Sequence, residues 1–196
     1  MTIPPILILL KIMGKKALKP IEIPEGVEVK YGDRTIEVRG PLGSLKLDIR
    51  DDLEIKIEDK SIRIEGRREV KKFIGLTRSL ILNMIEGVKK GFEKRLEVQG
   101  VGYRAEPIDK GIRLFLGFSH PVDFSPPPGI EIEVIKTRDP TITELLVKGI
   151  DKQLVGETAA RIRRIKPPDV YKGKGIRYKG EYVRRKVGKR GVGIQT

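Results

Sequence analysis

Between Arg161 and Arg190 the chain carries thirteen lysines and arginines, opposed only by Asp169 and Glu181. That stretch holds +11 of the chain's net charge of +14. A surface that merely keeps a protein soluble intersperses both signs. A segregated basic block points instead to a polyanion. The residues between the cations suit the same chemistry. Tyr171, Tyr178 and Tyr182 are three of only five tyrosines in 196 residues, and such rings stack on unpaired bases while Lys and Arg neutralise phosphates. Gly173, Gly175 and Gly180 let backbone approach a phosphate strand and donate its amides. The RNA-binding set expected from this pattern is Arg161, Arg164, Lys166, Tyr171, Lys172, Gly173, Lys174, Gly175, Arg177, Tyr178, Lys179, Arg184, Arg185, Lys186, Lys189 and Arg190. The competing reading is a solvated tail in which charge alone matters.

Catalysis finds little to build on. Without cysteine there is no disulfide, thiol nucleophile or Cys-ligated metal. The single histidine, His120 in "GFSHPV", has no second His or Cys nearby, so it reads as a structural or RNA-facing loop residue. "GVG" at Gly100 to Gly102 lacks the third glycine and following helix of a dinucleotide fingerprint, and "GKG" at Gly173 to Gly175 lacks phosphate-loop spacing. Glu54, Glu58, Glu131 and Glu133 alternate along strands, as on a solvated sheet face. No enzyme, cofactor, metal or small-molecule substrate is expected.

The elements that must position the basic block follow from periodicity. Val27, Val29 and Tyr31, then Ile36 and Val38, then Leu45, Leu47 and Ile49 alternate as half-buried strands. "LEIKIEDKSIRIEG" reads as a hairpin across Asp-Lys-Ser. The period then switches: Phe73, Leu80, Met84 and Val88, flanked by Ile74, Ile81 and Ile85, share one helical face ending near Gly87 or Gly91. The second half replays the order. Leu96 and Val98, Ile112 to Leu116, Ile130 to Val134, and Leu145 with Val147 supply strands. A helix follows from about Ile150, burying Leu154, Val155, Ala159, Ile162 and Ile165, until Pro167-Pro168 stops it. Arg161, Arg163 and Arg164 occupy its last two turns, where cations suit the helix dipole.

"FIGLTRSLI" from Phe73 aligns with "LVGETAARI" from Leu154, pairing Gly75 with Gly156 and Thr77 with Thr158. The paired glycines predict close helix–sheet packing. The expected fold is α+β: two tandem duplicated domains, each a small, mainly antiparallel sheet on one helix. The divisions are 1–13, an extension expected to be disordered; 14–91 and 92–166, the repeats; and 167–196, a basic Gly- and Tyr-rich extension. "SPPPG" at Ser125 to Gly129 is a loop within the second repeat, and the boundary falls at Lys89 to Glu93. The apolar run Ile6 to Leu10 is far shorter than the ~20 residues of a membrane span. Its charge follows rather than precedes it, unlike a signal peptide. The segment therefore reads as a disordered or adventitious extension, with Met13 as an alternative start, and a partner-binding strand is the other reading. The C-terminal stretch is too rich in glycine for a basic amphipathic helix, so no membrane partner is expected.

"PDVYKGKGI", Pro168 to Ile176, closely resembles the signature of the bacterial-type family of the sixth protein of the large ribosomal subunit. The resemblance runs from Gly14 almost to the end. "GKKALKPIEIPEGVEV" resembles the family's opening, "RGPLGSL" its first-domain loop, and "VQGVGYRA" and "GFSHPV" its second-domain loops. The sequence departs from the family before Met13 and at "KAL". The resemblance implies two duplicated domains and binding to large-subunit ribosomal RNA in the cytoplasm. It also implies a place near the sarcin–ricin loop and stalk base, beside neighbouring large-subunit proteins, where translation factors bind. A free RNA-binding regulator or assembly factor is the alternative.

Overall fold

In a computed structural model the described residues are 19–186, except 59, 67–69, 138 and 140. The extension expected at 1–13 lies outside them, as do Lys189 and Arg190. The described residues divide into two compact units, one running to Gly91 and including Ile150–Lys152, the other comprising Phe92–Gly149 and the residues from Gln153 onward.

The first unit begins with β1 (Ile21–Glu22), β2 (Glu28–Gly32), β3 (Thr35–Gly40), β4 (Gly43–Asp48), β5 (Leu53–Glu58) and β6 (Ser61–Gly66), and closes with helix α1 (Lys71–Lys90). These strands form two antiparallel sheets, ordered β2-β3-β4 and β1-β6-β5. The single sheet expected per repeat is thus two small ones. Asp33 and Arg34 join β2 to β3 with φ of +49° and +60°, the backbone of a two-residue hairpin turn. Arg34 accepts this conformation with its carbonyl oxygen held by the Ile49 amide at 2.7 Å. Ile21, Ile36, Val38 and Ile62 meet Ile74, Ile81, Ile85 and Val88 of α1 in one core.

The second unit repeats this plan with β7 (Phe92–Gln99), β8 (Arg104–Ile108), β9 (Gly111–Phe115), β10 (Val122–Phe124), β11 (Ile130–Lys136), β12 (Ile142–Gly149) and helix α2 (Lys152–Ile165). One sheet runs β8-β9-β10. The other runs β11-β12-β7 and then gains β13 (Gly175–Tyr178) on the edge of β7. In the first unit the matching order, β5-β6-β1, stops at β1 among the described residues. Leu96, Val98, Leu114, Leu145 and Val147 pack with Val155, Ala159 and Ile162 of α2, and Ile176 of β13 joins the same core, fully buried.

Two further expectations change. Residues 167–196 are not wholly an extension, because β13 completes a sheet and carries a core side chain. The glycines that allow close helix–sheet approach are also different ones. A Cβ at Gly75 or Gly156 would meet nothing within 4 Å. One at Gly40 of β3 would lie 2.8 Å from the Val88 carbonyl oxygen, and one at Gly149 of β12 would lie 3.0 Å from Val155. The strand, not the helix, carries the small residue.

Candidate nucleic-acid interface

Helix α2 delivers its cations to one end of the second unit. Arg161 and Arg164 are exposed in its final turns; Arg161 has Glu157 a turn away at 3.7 Å. Pro167 and Pro168 end the helix, and the chain turns sharply at Asp169. The Asp169 carboxylate accepts hydrogen bonds from the amides of Tyr171 (3.2 Å) and Lys172 (2.8 Å). Its own amide donates to the Lys174 carbonyl oxygen, and its carbonyl oxygen accepts from Gly173, both at 2.9 Å. The turn is therefore closed on itself. Val170, Tyr171 and Lys172 stand on its exposed side, with Tyr171 57% exposed.

Past the turn the chain enters β13, led by the Ile176 amide bonding to the Lys166 carbonyl oxygen at 2.7 Å. After β13 it doubles back, and the Lys186 amide reaches the Val170 carbonyl oxygen at 2.8 Å. Arg185 and Lys186 are thereby brought beside the turn that carries Lys172 and Lys174, with exposed Arg184 and with Tyr182, 88% exposed, on the same returning segment.

Carboxylates decide which cations stay available. Arg177 pairs with Glu97 of β7 at 2.8 Å, their side chains only 22% and 13% exposed. Lys179 reaches Glu144 of β12 at 2.8 Å. Arg163 forks onto Glu181 through two hydrogen bonds of 3.1 and 2.5 Å. That fork, against an opposing contribution from burial, holds the Glu181 carboxyl below the usual range, helped by the Tyr178 amide donating to it. Among the described residues no ion pair engages Arg164, Lys166, Lys172, Lys174, Arg184, Arg185 or Lys186.

Several expected contact residues thus have internal tasks. Arg177 and Lys179 hold β13 and its exit against the sheet. Tyr178 is half-buried against the core, with the Arg163 guanidinium 5.8 Å above its ring. Gly173 and Gly175 are buried rather than presented to a ligand. The space beside Gly173 is filled by the Arg185 guanidinium, 2.9 Å from where a Cβ would stand. At Gly175 a Cβ would lie 2.5 Å from the Pro167 carbonyl oxygen. Both glycines serve packing inside the turn, which displaces the reading that they bring backbone to RNA.

Three loop features complete the picture. The Tyr103 ring packs against Gly100 and Gly117, so the first glycine of "GVG" and the glycine of "GFSHPV" meet around one aromatic side chain. Lys166 lies 4.6 Å above the ring of Phe118, and His120 is exposed in the same loop. Among the described residues no cluster of three or more His, Asp or Glu is placed to hold a metal ion, and no helix is long and apolar enough to cross a membrane.

Sequence reasoning missed Asp169, Glu97 and Glu144. An Asp two and three residues before amides it can cap is a known turn signal, so Asp169 was open to being found. Glu97 and Glu144 announce nothing locally, because register alone brings them to the basic segment.

The sequence profile of the family described as Ribosomal protein L6 matches residues 23–91 and 99–179. Among curated relatives, the large ribosomal subunit protein uL6 of Alkaliphilus oremlandii is 49% identical over 183 residues, covering 91% of this chain and 99% of its own. The proteins of that name from Hahella chejuensis and Pseudomonas putida are 48% and 44% identical, with the same coverages. With both repeats matched and nearly every relative's full length covered, the chain belongs to the ribosomal protein L6 family, a family of structural proteins rather than enzymes.

Proposed function

We propose that this protein is a structural constituent of the large ribosomal subunit in the cytoplasm, binding large-subunit ribosomal RNA through the second unit. The observation that carries the contact surface is the sorting of charge around the Asp169 turn. Lys172, Lys174, Arg184, Arg185 and Lys186 gather there without ion-pair partners among the described residues, beside the exposed rings of Tyr171 and Tyr182. Cations that neutralise phosphates and rings that stack on bases are what a folded RNA requires. The working position is near the sarcin–ricin loop and stalk base, among neighbouring large-subunit proteins and close to where translation factors bind. That position rests on family membership.

Salt titration tests the phosphate contacts. Six engaged phosphates give a roughly 10³-fold fall in affinity between about 50 and about 200 mM salt, on the relation known for DNA. Replacing Lys172 and Lys174 together by Ala should weaken binding to large-subunit ribosomal RNA and flatten that slope by about two contacts. Unchanged affinity and slope in the double variant would remove the turn from the interface.

A further inference from the structure

We propose that Asp169 is the positioning residue of the RNA-binding turn, and that its carboxylate is kept at an electrostatic cost because it holds that turn in shape. The inference rests on the functional reading above. Simple electrostatics argues against an acid here. Asp169 stands exposed in a segment of net charge +11, where a phosphate backbone must approach. The other acid of the segment, Glu181, is accounted for by its fork with Arg163. Asp169 has no cation partner among the described residues, and its carboxylate is turned to backbone instead. One oxygen, Oδ2, accepts both the Tyr171 and the Lys172 amides.

Together with the backbone bonds to Gly173 and Lys174, one residue anchors every chain reversal between 169 and 174. Tyr171 and Lys172, the residues whose amides are held, are also those whose side chains face solvent. Ordering a flexible segment at the moment of binding costs conformational entropy. A turn ordered beforehand avoids that cost. The carboxylate therefore acts on RNA through the geometry of its neighbours and touches no nucleotide itself.

The two accounts predict opposite signs. If only charge matters, removing the acid by Asp169→Ala or Asp169→Asn should tighten RNA binding equally. If the carboxylate positions the turn, Asp169→Ala should weaken binding about tenfold through loss of two hydrogen bonds. Asp169→Asn keeps an acceptor oxygen in place and should bind at least as well as wild type. The salt slope should stay unchanged in both, since no phosphate contact is removed.

The full-length protein and a large-subunit ribosomal RNA transcript serve as the probes. Amide exchange at Tyr171 and Lys172 should accelerate in Asp169→Ala and not in Asp169→Asn. If Asp169→Ala fails to unfold cooperatively, Asp169→Glu replaces it. That variant keeps the charge but moves the oxygens by a methylene, and weakened binding is again expected. Undiminished affinity in the Ala or Glu variant, or equal loss in Ala and Asn, overturns the proposal. The Lys172 and Lys174 double variant, measured alongside, separates this failure from one of the functional reading, because only the latter leaves that variant unaffected.

Discussion

At Gly175 the backbone stands at φ +145°, and a side chain there would strike the carbonyl of Pro167 and the Cα of Pro168. Steric overlap with rigid backbone adds to conformational strain, so Gly175→Ala should destabilise the fold by roughly 3 kcal/mol. Any effect of that variant on RNA binding then follows from lost structure. Gly75 provides the contrast. It lies within α1 with open space where a Cβ would be, so Gly75→Ala should stabilise by about 0.5–1 kcal/mol. Denaturant unfolding of both variants checks the pair. A stable Gly175→Ala, or a Gly75→Ala less stable than wild type, would refute this division of the glycines.

At the scale of elements, β13 is held by apolar burial at Ile176 and by charge on either side. Glu97 and Glu144 sit directly opposite one another across β7 and β12. Like charges in that position repel, and Arg177 and Lys179 relieve the repulsion by pairing one to each. Beyond the strand, the Arg163–Glu181 fork fixes the start of the return. Because the fork lowers the Glu181 pKa in the folded state, its stabilisation is present above the unfolded carboxyl value of about 4.3 and is lost as pH falls through the folded one. Glu181→Gln should therefore cost about 1–2 kcal/mol near neutrality, with the difference from wild type shrinking as pH falls below about 4.3 and through the folded carboxyl value. Thermal unfolding across that range gives the comparison. A difference that does not vary with pH would mean that the fork contributes nothing.

Across the whole molecule, duplication of a fold has not meant duplication of a surface. Several strand cations of the first unit are paired within it: Arg39 and Lys46 lean on Glu37, Arg50 on Asp52, Lys56 on Glu65, and Arg34 on Asp51. The second unit adds β13 to the shared plan and, with the turn before it and the return after it, a basic surface. Replacing Arg39 and Lys46 by Ala should leave RNA affinity within about twofold of wild type, as for other exposed paired charges. The Lys172 and Lys174 double variant at the same salt should fall well below it. Comparable losses in the two would assign RNA contacts to both units.

The strands of β3, β5, β9 and β12 and both helices were legible in the residues themselves, because hydrophobic period is a local property that burial enforces. The basic block was equally plain, being a matter of composition. β1, with two residues, and β10, with three, are too short for a period to show. "GIRY" reads as tail until its pairing with β7 and the burial of Ile176 are seen. Which members of the block face outward was decided only in three dimensions. Arg177 and Arg184 are alike as letters, yet strand register brings Glu97 to the first and, among the described residues, no carboxylate to the second. Charge content is written along the chain, whereas ion pairing and the space beside a glycine depend on residues that only folding brings together.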